Sequence, residues 1–239
     1  MSILFFEDKE TQIEFGNNLK ININNCNFEG KYEIGDEIGE GHFAVVKKCV
    51  NKENNNEEVF ALQTKILFKI KNGAVEKKAT LSFETKCLEV NEELGEVLVG
   101  DKKGKLHVFD MNLKEKASYS IHFGEYQVIK LSPDGKLVAS GDNQRVILVY
   151  EAGSNKIVCD RFGFHTGSIF DLDWTSDSKF LASAGLDGNV MLWEIETKKR
   201  LRNYPNFDNN QINGVRFVND NKDVVCAGHS CNLKEILFQ

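Results

Sequence analysis

The sequence predicts an all-β fold in which one small antiparallel sheet is repeated along most of the chain. The main observation is a hydrophobic frame that recurs in four registers, at intervals of 41, 43 and 43 residues. Its reference positions are Phe109, Tyr150, Trp193 and Ile236. A second observation is the alternation of apolar and polar residues between turn-forming residues, which is typical of strands joined in hairpins. So regular a frame predicts stacked sheets of similar size.

The third copy of the repeat is nearly complete and gives the order of its elements. His165 lies in a turn, and an alternating strand, a polar turn and the small-residue strand FLASAG follow it. Asp187 and the glycine after it predict a tight hairpin turn before a strand that ends at Trp193. We expect His165, Ser183, Asp187 and Trp193 to form one hydrogen-bonded chain that stabilises this copy of the repeat.

The second copy keeps only part of this polar set. His122 and Ser140 have the same offsets from Tyr150, but Gln144 stands where the carboxylate is expected. His122 and Ser140 are predicted to belong to the structural network of this copy. In the copy before it, apolar residues and a lysine replace the polar set.

A catalytic interpretation of Ser183, His165 and Asp187 is rejected. No nucleophile elbow of the G-x-S-x-G type surrounds Ser183. The indole N–H of Trp193 needs an acceptor when it is buried, and a structural network supplies one. We therefore expect no catalytic residues and no enzyme activity.

A period of about 42 residues with these landmarks resembles the WD-repeat family, whose repeats are the blades of a β-propeller. The resemblance implies a partial propeller of about four blades that acts as a scaffold for protein partners. More specifically, residues 66–239 resemble the C-terminal blades of the actin-interacting protein 1 family. The turn Gly141–Arg145 and the segment Asn232–Glu235 are less general than the blade pattern and support this likeness. It implies actin and cofilin as partners, a part in actin filament disassembly, and a cytoplasmic, cytoskeletal location.

Residues 32–63 suggest a different origin. The run Gly39-Glu40-Gly41-His42-Phe43, with Val46 in the following strand, resembles the glycine-rich loop of protein kinases. In a kinase such a loop approaches the ATP phosphates, so Gly39, Gly41 and Val46 are candidates for a vestigial nucleotide loop. Gln63 stands where kinases place the phosphate-binding lysine, and no catalytic-loop HRD or DFG motif follows. Kinase activity is therefore not expected.

Composition and charge exclude several classes of partner and cofactor. The net charge is −6 with 41% hydrophobic residues, and no apolar run approaches the length of a membrane span. Positive charge is spread thinly, so neither a nucleic-acid nor a membrane partner is expected. The histidines and six cysteines show no metal-ligand spacing. We expect a reduced, cytoplasmic protein without metal or other cofactor.

The predicted domains are an unassigned segment 1–31, an incomplete kinase-like β segment 32–63, and propeller blades over 64–239. An open set of blades exposes apolar faces and strand edges. Three explanations are open: a truncated or fused chain, assembly with another chain, or repacking of the first 63 residues against one face. The meeting of two incomplete domains favours the first. Candidate partner contacts are Phe162, Phe164 and the loop Tyr204–Phe207, although apolar residues there more often join adjacent blades.

Overall fold

A computed structural model describes residues 11–15, 19–23, 44–50, 57–63, 65–71, 74–205, 211–219, 221, 223–228 and 233–237. Every regular element in these ranges is a strand, so the all-β prediction is confirmed. Among the described strands, β1 (Thr11–Phe15) and β2 (Leu19–Ile23) form a separate two-stranded antiparallel sheet. No helix among the described residues has the length and apolar character needed to cross a membrane.

The other strands form five successive antiparallel sheets, which we name blades A to E. Blade A contains β3 (Ala44–Val50), β4 (Glu57–Gln63), β5 (Ile66–Lys71) and β6 (Ala74–Thr80). Blade B contains β7 (Thr85–Asn91), β8 (Glu96–Asp101), β9 (Lys105–Asp110) and β10 (Glu115–Ser120). Blade C contains β11 (Tyr126–Leu131), β12 (Leu137–Asp142), β13 (Ile147–Glu151) and β14 (Ile157–Phe162). Blade D contains β15 (Ile169–Trp174), β16 (Phe180–Gly185), β17 (Val190–Glu194) and β18 (Lys199–Tyr204). Blade E has three described strands, β19 (Ile212–Val218), β20 (Asp223–Gly228) and β21 (Leu233–Leu237).

The blades stack in chain order around their first strands. Contacts join β3 to β7, β7 to β11, β11 to β15 and β15 to β19, so the first strand of each blade is the inner one. The fourth strand is at the outer edge of each four-stranded sheet. Between each pair of neighbouring blades lies an apolar core, and Tyr150 and Trp193 are completely buried in two of these cores. The repeated architecture is that of a partial β-propeller.

Blade A crosses the predicted domain boundary near residue 63. Strands β3 and β4, from the kinase-like segment, pair with β5 and β6 in one sheet. Leu62 and Leu67 then pack into the core that blade A shares with blade B. The sequence predicted about four blades, whereas the described residues form five stacked sheets because residues 44–80 make a further one.

Small residues allow neighbouring blades to approach closely. A Cβ on Gly100 would lie 2.5 Å from the Tyr126 ring, and one on Gly141 would lie 2.6 Å from Ile169. In both places the obstacle is the first residue of the next inner strand. The same position in blade D is Ala184, which packs with Ile212 of blade E. The small-residue strands found in the sequence are therefore required by blade stacking.

Candidate interaction surface

The four residues predicted to interact in blade D lie together. His165 Nδ1 is 2.9 Å from Asp187 Oδ2, and His165 Nε2 is 2.8 Å from Ser183 Oγ. Trp193 Nε1 donates to the same Ser183 Oγ over 2.8 Å. Because the indole can only donate, the serine oxygen accepts from it and is free to donate its hydrogen to His165 Nε2. In this arrangement Nδ1–H of His165 donates to the Asp187 carboxylate.

Burial decides what this arrangement can do chemically. Ser183 and Trp193 are both 0% exposed, and no substrate could reach the serine hydroxyl. The pKa of Asp187 is lowered even though burial opposes its ionisation, because His165, the Thr166 N–H and Asn189 stabilise the carboxylate. Thr166 N donates to Asp187 Oδ2 over 2.8 Å. The network therefore ties the loop before the blade to the turn between β16 and β17.

Blade C builds an equivalent network with a different carboxylate from the one predicted. His122 Nε2 lies 2.8 Å from Ser140 Oγ, and His122 Nδ1 lies 3.0 Å from Asp142 Oδ2. The other carboxylate oxygen accepts the backbone N–H groups of Gln144, at 2.9 Å, and Val146, at 2.8 Å. Asp142 thus does what Asp187 does in blade D, from the end of the strand instead of the turn. Counting six residues back from Tyr150 selects Gln144, so Asp142 was not predicted from the sequence.

Blade B uses a third arrangement that the repeat comparison also missed. Asp101 lies 41 residues before Asp142 and accepts the backbone N–H groups of Lys103 and Lys105 in the same way. Its second oxygen is 3.3 Å from His107 Nε2, and His107 Nδ1 is 2.8 Å from Glu115 Oε1. The interval between the two aspartates was the signal that could have identified this network.

Hydrogen bonds join the loops of successive blades at one end of the stack. Because strands within a blade are antiparallel, the loop before a blade and the loop between its second and third strands lie at the same end. We call this the histidine end, since it carries His122 and His165. Across it, His122 N donates to Gly104 O over 3.0 Å, and Ser168 Oγ donates to Asn143 O over 3.2 Å. Blades B, C and D thus share one connected loop surface.

Three large apolar side chains are exposed on this surface. Phe123 is fully exposed, Phe164 is 54% exposed and Leu186 is 50% exposed. Their loops are held in place by neighbouring groups: Glu125 N, two residues after Phe123, donates to Asn143 Oδ1 over 2.9 Å, and Leu186 N donates to Ser168 O over 2.8 Å. These three residues are the candidate site for a protein partner.

The contacts proposed from the sequence divide between core and surface. Phe162 is buried and stacks on Trp193 with ring centroids 4.6 Å apart, so it joins blades C and D. Phe164 is exposed, and the Arg200 guanidinium lies 4.3 Å from the centroid of its ring. Tyr204 is half-buried and packs against the core between blades D and E, while Phe207 lies outside the described residues. Phe123 was missed because a single phenylalanine in a short loop carries no pattern.

The candidate nucleotide loop is mostly outside the described part of the chain. Gly39 and Gly41 fall there, and Val46 lies on β3, where its Cα is paired with that of Ala61 in blade A. Within the described ranges, no group of three or more potential ligand side chains could hold a metal ion.

Comparison with known proteins identifies the family of one repeat. Residues 158–194 match the family model described as WD domain, G-beta repeat. This segment contains nearly all of the last strand of blade C and most of blade D, including the complete polar network. Together with the stacked four-stranded sheets, the match shows a WD repeat within a partial β-propeller.

Within that class the chain is similar to several curated proteins. The 66 kDa stress protein of Physarum polycephalum is 30% identical over 157 residues, which cover 64% of this chain and 26% of that protein. Actin-interacting protein 1-2 of Arabidopsis thaliana is 30% identical over 130 residues, covering 53% of this chain and 21% of that protein. Protein HIR1 of Yarrowia lipolytica is 31% identical over 126 residues, which cover 46% of this chain and 12% of that protein. The chain therefore spans about a quarter or less of the length of these relatives.

Proposed function

We propose that the chain is a non-catalytic scaffold that binds a protein partner through the histidine end of blades B to D. The observation that carries the proposal is the exposure of Phe123, Phe164 and Leu186 on loops that are hydrogen-bonded to one another. Exposed apolar groups grouped on one surface are typical of protein interaction sites. Because the loops are already fixed, a partner would not have to order them, and the entropic cost of binding is reduced.

The partner we propose is actin, with cofilin as a second component of the complex and a cytoplasmic, cytoskeletal location. Support comes from the sequence resemblance to the C-terminal blades of the actin-interacting protein 1 family. It comes also from the similarity to Actin-interacting protein 1-2, whose name states an interaction with actin. The HIR1 proteins are similar over comparable lengths and their name states no partner, so actin binding needs a direct test.

The test is co-sedimentation of the whole chain with actin filaments, with and without cofilin. Leu186→Glu changes an exposed leucine at the histidine end, and Leu94→Glu is a matched control because Leu94 is 46% exposed in the loop between β7 and β8, at the opposite end. We expect Leu186→Glu and Phe123→Glu each to weaken binding about tenfold, as for a central interface contact. We expect the Leu94→Glu protein to bind like the unaltered chain.

Two results would count against the proposal in different ways. No sedimentation with actin under either condition rejects actin as the partner and leaves the surface to be tested with other proteins. Equal losses for Leu186→Glu and Leu94→Glu reject the histidine end as the binding surface.

A vestigial nucleotide loop at Gly39, Gly41 and Val46 is the alternative function we retain for the first segment. The pairing of β3 and β4 with β5 in blade A favours a structural use of these strands. We therefore expect no rise in the melting temperature when ATP is added at micromolar concentration. A clear rise would support nucleotide binding.

A further inference from the structure

The expectation that positive charge is spread thinly fails at the outer strand of blade D, which is basic in a chain of net charge −6. Lys198 lies in the turn directly before β18, Lys199, Arg200 and Arg202 lie on the strand, and every side chain from residue 196 to residue 203 is exposed. Among the described residues, neither Lys198 nor Lys199 forms a salt bridge. The side chains of Lys198 and Lys199 therefore face solvent and no acidic partner within the described part of the chain.

The other outer strands differ from β18 in their charge. Strand β10 contains Glu115 and Lys116, which are used within their own blade: Glu115 bonds His107, and Lys116 Nζ is 2.5 Å from Glu96 Oε1. Strands β6 and β14 each contain an acidic residue, and β18 contains none. Scattered charges are enough to prevent edge-to-edge aggregation of sheets. That protective role is shared by all the outer strands and does not explain why one of them is purely basic.

The backbone of β18 offers a second element of recognition. It is the last strand in its sheet, with β17 on one side only. Along its other edge, alternate N–H and C=O groups point away from the sheet and can pair with an added strand. Six residues at about 3.3 Å each give an edge about 20 Å long, enough for a peptide of similar length.

We infer that β18 binds an extended acidic peptide segment of another protein, which adds to blade D as a fifth strand. The backbone hydrogen bonds of strand addition would provide affinity, and carboxylates beside Lys198, Lys199 and Arg200 would provide specificity. The remainder of the protein carries excess negative charge, which disfavours binding of the same peptide elsewhere. Arg200 also lies over the ring of Phe164, so this surface adjoins the histidine end, but strand addition does not depend on the proposed histidine-end function.

The test measures fluorescence anisotropy of a fluorescein-labelled peptide of alternating glutamate and valine with the whole chain. The test variant is Lys198→Glu/Lys199→Glu, and Lys198→Gln/Lys199→Gln is a milder second variant. The matched control is Lys77→Glu/Lys78→Glu, which makes the same charge change at two exposed lysines on the outer strand β6. We expect the test variant to weaken binding about tenfold or more and the control about twofold or less.

Strand addition is checked in the same complex by hydrogen exchange. We expect the peptide to slow amide exchange in residues 199–204, and binding to weaken between low and high salt as the charges are screened. Equal losses in the β6 and β18 variants would show general charge attraction and overturn the inference. Binding without protection of β18, or displacement of the peptide by a single-stranded oligonucleotide at equal concentration, would overturn it as well.

Discussion

Ser183→Ala tests whether the polar network of blade D stabilises the fold. The serine oxygen accepts from Trp193 Nε1 at 2.8 Å and faces His165 Nε2 at 2.8 Å, and the side chain is 0% exposed. Alanine leaves the indole N–H and one imidazole nitrogen without a partner and without access to water. At about 1–3 kcal/mol for each buried unsatisfied group, we expect a loss of about 3 kcal/mol in the free energy of unfolding.

Blade C supplies the comparison. Ser140 Oγ bonds His122 Nε2 at 2.8 Å. The buried hydroxyl groups of Tyr126 and Tyr150 have no hydrogen-bond partner among the described residues, so Ser140→Ala removes fewer partners than the serine substitution in blade D. We expect a cost of about 1–2 kcal/mol there. The exposed Ser154→Ala is the control, with a change within about 0.5 kcal/mol.

The assay is equilibrium unfolding in urea at neutral pH, followed by tryptophan fluorescence and near-UV circular dichroism. A double-mutant cycle with Trp193→Phe isolates the serine–indole interaction, and we expect a coupling energy above about 0.5 kcal/mol. If Ser183→Ala costs no more than Ser140→Ala and the coupling is near zero, then the network does not stabilise the blade as proposed.

Three further predictions concern pH and backbone geometry. The lowered pKa of Asp187 makes the folded state bind its proton less readily than the unfolded state, so its stabilisation is present above about pH 4 and is lost on acidification. Melting temperatures of Asp187→Asn between pH 3 and 7 should therefore depend less on pH. Burial raises the pKa of Asp173 despite the Phe217 N–H bond at 2.7 Å, so its contribution has the opposite sign and is lost as the pH rises above about 4. In the same series, Asp173→Asn should remove that loss, and a steeper loss of stability with rising pH would contradict this assignment. Gly104→Ala places a Cβ 2.2 Å from His122 O at a φ of 79°, and urea unfolding should show a cost of about 2 kcal/mol or more. Gly163→Ala, whose Cβ would meet nothing within 4 Å, is its control.

The repeat itself could be predicted from the sequence because its signals are local. Phe109, Tyr150, Trp193 and Ile236 all lie on the third strand of their blades, as a frame set by alternation and tight turns requires. The tight turn predicted at Asp187 and the glycine after it is also present, and Gly188 has the positive φ of 70° that such a turn requires.

The carboxylates of the networks could not be predicted by fixed offsets. Asp142 and Asp187 differ by two positions in the repeat, yet each brings an oxygen within about 3 Å of its histidine, because a strand end and the following turn are close in space. The structural role of residues 44–63 could not be predicted from the sequence either. Two β-rich strands joined by a polar turn suit a blade as well as a kinase lobe, and only pairing with β5 distinguishes them.

The networks and the candidate interaction surface are connected through the same loops. Each of the two histidines is held through both ring nitrogens. The Nε2 atoms of His122 and His165 bond Ser140 and Ser183, and their Nδ1 atoms bond Asp142 and Asp187. Phe123 directly follows one of these histidines and Phe164 directly precedes the other. A buried polar network destabilises the fold when one of its hydrogen bonds is missing, and when complete it fixes the positions of its members. We therefore assign these networks a positioning role as well as a stabilising one. Here they fix the histidines next to the exposed residues Phe123 and Phe164, and so position the loops that carry them, which a blade core alone does not require.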